Sequence, residues 1–242
     1  MRLNSALTFI FLFVSAALSG PLREKDQSWV PNLVKKSTNG ASDDVYYNYL
    51  LAGAYWEETN GTFTFATATF NVPVPSGQHG YAVWVGIDGI TCNSWFTAGI
   101  SSSVTDGKIT YLAWSEWADD KQYLPNLAIA PGDVIRASLN APSATSGVAI
   151  LENLTNGRTV VQPFDAAQPL CRRIAAWSAE IQANASIPFD TVKITNARAY
   201  GPSSQRVYEA AGAQKLEISQ KNGVVMASVS TEGSSVTIHR VQ

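Results

Sequence analysis

The residues able to do chemistry gather in two aromatic segments, Tyr81-Ala82-Val83-Trp84-Val85-Gly86-Ile87-Asp88-Gly89 and Ala113-Trp114-Ser115-Glu116-Trp117, with Thr91-Cys92 shortly after the first. Each sets one carboxylate among large rings. On a strand the side chains alternate, so Trp84 and Asp88 share one face, and Leu112, Trp114 and Glu116 share one face of another. A carboxylate beside indole rings is poorly solvated, which raises its pKa and suits it to acid–base work at low pH. Plainer readings stand beside this one. Glu116 can be a solvent-face residue with the tryptophans in the core, and Asp88, at an Asp-Gly strand end, can simply bind local backbone N–H groups.

Other chemistries have little to build on. His79 and His239 are the only histidines, and neither stands in a zinc or Ser-His-Asp motif, so no metal and no cofactor are expected. Cys92 and Cys171 form an even pair without a nearby His or a C-x-x-C, which favours a structural disulfide over a reactive thiol. With a formal net charge of -2 and low charge density, neither nucleic acid nor an anionic membrane is an expected partner. The chain is expected to act as a monomer.

The elements that must position these residues read as strands. Met1-Arg2, the apolar run Leu7 to Val14 and the small residues Ser15 to Gly20 make residues 1–19 a signal peptide and the protein secreted and extracellular. No later segment approaches the ~20 apolar residues of a membrane-spanning helix. Residues 20–44 are polar, without a sustained apolar period, and read as a linker or short propeptide. Residues 45–242 fit one domain. Sequons at Asn60, Asn153 and Asn184 are candidate glycosylation sites of an exported chain.

Within that domain, strands are predicted over Thr62-Phe70, Tyr81-Ile87, Ile109-Trp117, Val134-Leu139, Gly147-Leu151, Val192-Ala199, Leu216-Gln220, Val224-Val229 and Ser235-Val241. Turn signals separate them at Asp106-Gly107, Pro131-Gly132-Asp133, Asn156-Gly157 and Asn222-Gly223, the last being the firmest hairpin. Leu170 to Ile181 fits a helix, through Ile174, Trp177 and Ile181, or a strand from about Ala176. Many strands with little helix imply an all-β fold, an antiparallel sandwich of two large sheets.

Seven fragments, in order, resemble the glutamic peptidase (eqolisin) family: Ala52-Gly53-Ala54, Phe70-Asn71-Val72-Pro73, Trp84 to Gly89 with Thr91-Cys92, Ala113 to Trp117, Pro131-Gly132-Asp133, Glu152 to Gly157, and Thr195-Asn196-Ala197. The resemblance covers about residues 48–242. It implies a concanavalin-like sandwich of two curved sheets, made as a preproprotein and acting as an acid endopeptidase on polypeptides in fungi. Its catalytic pair is one Glu and one Gln on a concave sheet face. The Glu carries over to Glu116, as general base and then acid. Trp84, Asp88 and Trp114 become substrate-binding or cleft-supporting residues, and a Cys92–Cys171 disulfide is implied.

Two departures from the family pattern bear on activity. Counting back from Gly99, Thr97 stands where the catalytic Gln belongs, and Leu50-Leu51 replaces the usual Asn-Trp before Ala52-Gly53-Ala54. Gln122, six residues after Glu116, is one candidate substitute for the lost amide. Two further readings remain. A catalytically inactive homologue would hold peptide or glycan on Trp84, Trp95, Trp114 and Trp117, and a glycosidase would pair Asp88 with Glu116 across a cleft.

Overall fold

The computed structural model describes residues 33–35, 44–181, 186–202, 206–220 and 222–241. The expected signal peptide, most of the expected linker and the Asn184 sequon lie outside them. Strands β1 (Val34–Lys35), β2 (Val45–Asn48), β3 (Leu51–Glu57), β4 (Phe65–Asn71), β5 (Tyr81–Asp88) and β6 (Trp95–Thr105) come first. They are followed by β7 (Lys108–Trp117), β8 (Asp120–Tyr123), β9 (Val134–Asn140), β10 (Ser146–Asn153), β11 (Arg158–Asp165) and β12 (Ile174–Ile181). The last five are β13 (Thr191–Tyr200), β14 (Tyr208–Glu209), β15 (Gln214–Ser219), β16 (Val225–Glu232) and β17 (Ser235–Arg240). One 3-10 turn, Pro125–Leu127, is the only helical element among the described residues.

The pairings resolve into two curved sheets. The first runs β1-β2-β15-β3-β12-β5-β6-β7-β8. The second runs β16-β17-β13-β4-β9-β10-β11, with β14 beside the end of β13. All ladders are antiparallel except β2 with β15. The sheets meet where β15 leaves β3 after Leu216 and takes up β16 from Ile218. The fold is thus the all-β sandwich the strand pattern predicts.

Alternation decides which side chains fill the space between the sheets. Val83, Val85 and Ile87 of β5, Phe96, Ala98 and Ile100 of β6, and Ala66, Ala68 and Phe70 of β4 belong to one buried cluster. Opposite-parity residues of the first sheet form a second, smaller cluster on its outer face, including Leu51, Tyr55, Trp84, Trp114, Ile174 and Leu216. The central strands β5 and β12 are therefore buried on both faces, so they read as near-continuous apolar runs without clean alternation. This also settles Leu170 to Ile181: from Ile174 it is a strand clamped between β3 and β5.

Turn chemistry sets the registers. Asp106-Gly107, at φ 50° and 74°, closes β6 onto β7 with Thr105 opposite Lys108. Gly223, at φ 82°, turns β15 into β16 as its Asn-Gly signal predicts. The weaker sequence signals account for the strands not predicted. β11 carries Pro163 and is tolerated because it pairs only with β10 among the described residues. β6 mixes Ala, Gly and Ser in place of the large branched residues that mark strands. The two residues of β1 fall within the segment read as a linker.

Gly99 shows how tightly the outer face is built. It lies opposite Trp84 on one side and Trp114 on the other, and a Cβ there would stand 2.1 Å from the Val83 carbonyl oxygen. Gly99→Ala is expected to cost about 1–3 kcal/mol as overpacking, read as a lowered urea midpoint with an unchanged m-value.

Candidate active site

The outer face of the first sheet carries the candidate residues in rows that run across the strands. One row is Tyr55, Ala176, Gly86, Thr97, Glu116 and Lys121, each the register partner of the next. The row beside it is Leu216, Gly53, Ser178, Trp84, Gly99, Trp114 and Tyr123. Adjacent strands lie about 4.8 Å apart, so Thr97 and Lys121 flank Glu116 as nearest neighbours. The structure thus brings together the two residues at the expected catalytic positions.

Glu116 is buried, 6% exposed. Its cover comes from β8: Lys121 Nζ stands 3.2 Å from Glu116 Oε2 and 4.3 Å from the Trp114 ring centroid. The lysine side chain is 28% exposed, its stem and head lying over the indole with a cation–π contact. Thr97 is fully buried, and its Oγ1 has no hydrogen-bond partner among the described residues. Gly86 leaves its neighbour room, since a Cβ there would meet Thr97 Cγ2 at 3.2 Å and the Trp84 ring at 2.8 Å.

The hairpin from β7 to β8 is what puts Lys121 in place. Trp117 faces Asp120 across the two-residue loop Ala118-Asp119. Ala118 adopts φ 49° and its N–H donates to the Trp95 carbonyl at 2.8 Å. A positive φ in a residue with a Cβ is strained, which is common beside functional sites. The turn is therefore at Ala118-Asp119. Gln122 consequently faces the other way, opposite Ser115, and donates to Asp120. It does not reach the Glu116 row and cannot stand in for the missing amide.

Asp88 is taken up by the backbone. It closes β5 at φ 65° and is fully buried, its carboxylate accepting N–H groups from Arg172 at 2.6 Å, Arg173 at 2.9 Å and Ile174 at 3.2 Å. It ties the start of β12 to the end of β5, beside the Cys92–Cys171 disulfide, whose Cα atoms are 6.3 Å apart. A carboxylate so engaged is committed to holding β5 against β12 and is not paired with Glu116 as a glycosidase would need. The plain turn reading came nearer, except that the amides it binds are 84 to 86 residues away in sequence.

The tryptophans divide by parity. Trp84 and Trp114 belong to the outer cluster but are buried, and Trp117 points into the main core against Phe96 and Phe164. Trp95 alone of the four is partly exposed. Trp84 and Trp114 floor the site without an open stacking face, Trp117 is taken up by the core, and of the four only Trp95 has exposed surface to offer a ligand. Leu51 fills the outer face at the position where the family's tryptophan is expected, within a cluster against which Leu50 and Leu33 also pack. Asn153 is also corrected as a glycosylation site: it is fully buried, its amide donating to the Ala128 carbonyl and to Asp133 Oδ2. Asn60 is exposed.

A curved double sheet with carboxylates set into an aromatic outer face is the architecture of a glutamic-type peptidase. Residues 49–240 match the Peptidase A4 family, and the chain belongs to it. Aspergillopepsin-2 of Aspergillus niger is 29% identical over 289 residues, spanning 98% of this chain and 99% of that protein. Scytalidopepsin B of Scytalidium lignicola is 40% identical over 126 residues, 49% of this chain and 46% of that one. Among solved structures, scytalido-glutamic peptidase with a peptide-based transition-state analogue superposes with a TM-score of 0.68 at 30% identity, covering 80% of this chain and 98% of that one. Aspergilloglutamic peptidase from Aspergillus niger gives 0.61 at 34% identity, covering 67% and 99%.

Burial pushes the Asp88 carboxyl above the ordinary aspartate range, and the backbone N–H groups around it pull it back only in part. The folded chain therefore holds this proton more tightly than the unfolded chain. The stability linked to Asp88 is full below the ordinary range and is lost as pH rises through the raised value. Asp88→Asn is expected to shrink the fall in Tm between pH 3 and pH 7; a variant that keeps the wild-type slope would remove Asp88 as its source.

Proposed function

We propose that the chain is a secreted, fungal-type acid endopeptidase of the glutamic type, with Glu116 as its general base. The observation that carries this reading is the register of β6 and β7, which sets residue 97 directly opposite Glu116 on the aromatic outer face. In the reaction Glu116 takes a proton from water as the water oxygen bonds to the scissile carbonyl carbon. The carbonyl electron pair moves onto oxygen. The tetrahedral adduct then collapses, the C–N bond breaks, and the proton held by Glu116 passes to the leaving amine.

Residue 97 governs how well the oxyanion is held. A Gln amide reaches from the strand toward the substrate, whereas the Thr97 hydroxyl is two bonds shorter and buried. Losing one such donor typically costs about 100- to 1,000-fold in rate. One observation favours a second reading, an inactive homologue that binds peptide: Thr97 stands at the donor position while Lys121 covers Glu116.

Residues 45–242 should be assayed for cleavage of an unfolded protein between pH 2 and pH 5. Wild type is expected to cleave, Glu116→Gln to be inactive, and Thr97→Gln to cleave at least as fast as wild type. Cleavage by Thr97→Gln alone would identify a peptidase scaffold retired from catalysis.

A further inference from the structure

Trp95 is set apart from the other tryptophans of the site by the ring surface it leaves to solvent. It opens β6 with its side chain on the outer face, packed against the cluster that holds Trp84, Ile90, Trp114 and Ile174. Thr97 follows two residues later on the same face, about 6.8 Å along the strand. Because Thr97 stands opposite Glu116, Trp95 lies one step along the strands from the row of candidate residues.

We propose that Trp95 is a specificity-determining residue of the outer face, receiving an aromatic side chain of a bound polypeptide. This rests on the reading of that face as the polypeptide-binding face and is independent of which group there moves a proton. The match is one of spacing. An extended peptide presents side chains on one side at every second residue, with the same rise of about 6.8 Å as β6 itself. A peptide laid along β6 with one residue over Thr97 therefore brings the side chain two positions away over the Trp95 ring. An indole gives that side chain a broad apolar surface, and aromatic pairs gain beyond the area they bury. Trp84 and Trp114 are buried and have no such surface to give, so the preference falls on Trp95.

The ring is also held in place before any ligand arrives. The Trp95 carbonyl accepts the Ala118 N–H at 2.8 Å, and its register partner is Asp88, itself fixed by the amides of 172–174. Upstream, Cys92 is tied to Cys171, and the Asn93 carbonyl accepts the Gln168 side-chain amide at 2.7 Å. Contact surface that is already ordered loses little freedom on binding, which is the condition under which a single tryptophan dominates an interface.

The test titrates the purified protein with capped hexapeptides of Ala, Ser and Gly that carry one Phe at each position in turn, beside the same peptide with Ala throughout those positions. Binding is followed by calorimetry, peptide integrity by mass spectrometry and folding of each variant by thermal melting. In wild type a Phe at one position is expected to tighten binding by about tenfold over the Phe-free peptide. Trp95→Ala and Trp95→Gln are each expected to lose that preference, Trp95→Phe to keep part of it, and Tyr123→Ala, at the far edge of the same face, to keep all of it. An intermolecular nuclear Overhauser contact between the peptide ring and the Trp95 indole is expected in the wild-type complex and needs no variant. Wild type that binds all the peptides equally, a complex without that contact, or a folded Trp95→Ala that retains the preference would overturn the role of Trp95 and leave the outer face as a polypeptide site. If no peptide binds, with Phe or without, the reading of the outer face as polypeptide-binding fails, and the role of Trp95 with it.

Discussion

Everything at the site depends on the register of three consecutive strands. β6, β7 and β8 are joined by two-residue loops, Asp106-Gly107 and Ala118-Asp119, that leave no slack in the pairing. Because the side-chain period of a strand is two, a slip by one residue at either loop would move Glu116, Thr97 or Lys121 into the main core and bring Ser115, Ala98 or Gln122 to the outer face. The left-handed conformation of Ala118 is the local cost of the second loop. A glycine would adopt it without strain, so the alanine shows that the surroundings hold the turn in place, in part through its N–H bond to Trp95.

The opposite side of the site is held by longer-range contacts. β5 and β12 are sequence-distant neighbours, and the row that includes Gly86 and Thr97 continues through Ala176 of β12. Their common end is fixed by Asp88 gathering the amides of 172–174 and by the adjacent disulfide. A disulfide closing a loop of this length stabilises mainly by restricting the unfolded chain. Asp88 acts differently: it supplies acceptors for amides at the start of a strand buried on both faces, where unpaired N–H groups would be costly. An acid-loving carboxylate beneath a site proposed to work in acid is consistent within one structure, since protonating it does not penalise the fold.

Much of this was legible in the sequence, and the failures share a cause. The strand content and the Asn222-Gly223 hairpin follow from local patterns. Alternation within one strand correctly grouped Trp114 with Glu116. What alternation cannot supply is which sheet, or which layer, lies against each face. Trp117 and Trp114 look alike in sequence, yet one fills the main core and the other floors the site. Asp88 reads as a turn residue or an acid, and its partners lie beyond any local window. Asn153 sits in a sequon, but a buried bond to Asp133 claims its amide. β6 escaped prediction because its small residues are there to make room for indoles on the neighbouring strands.

The loop at Ala118-Asp119 pairs 117 with 120 and hence 116 with 121, although Ala-Asp is not a residue pair that announces a tight hairpin. The position has a wider meaning for how the scaffold varies. β5, β6 and β7 are constrained on both faces, by the core below and the indoles above, so exchanging Gln for Thr at position 97 alters a site with little freedom to adjust. β8 is a four-residue strand paired only with β7 among the described residues, and its side chains can change without disturbing the sandwich. Side-chain changes are therefore most easily accommodated at this edge.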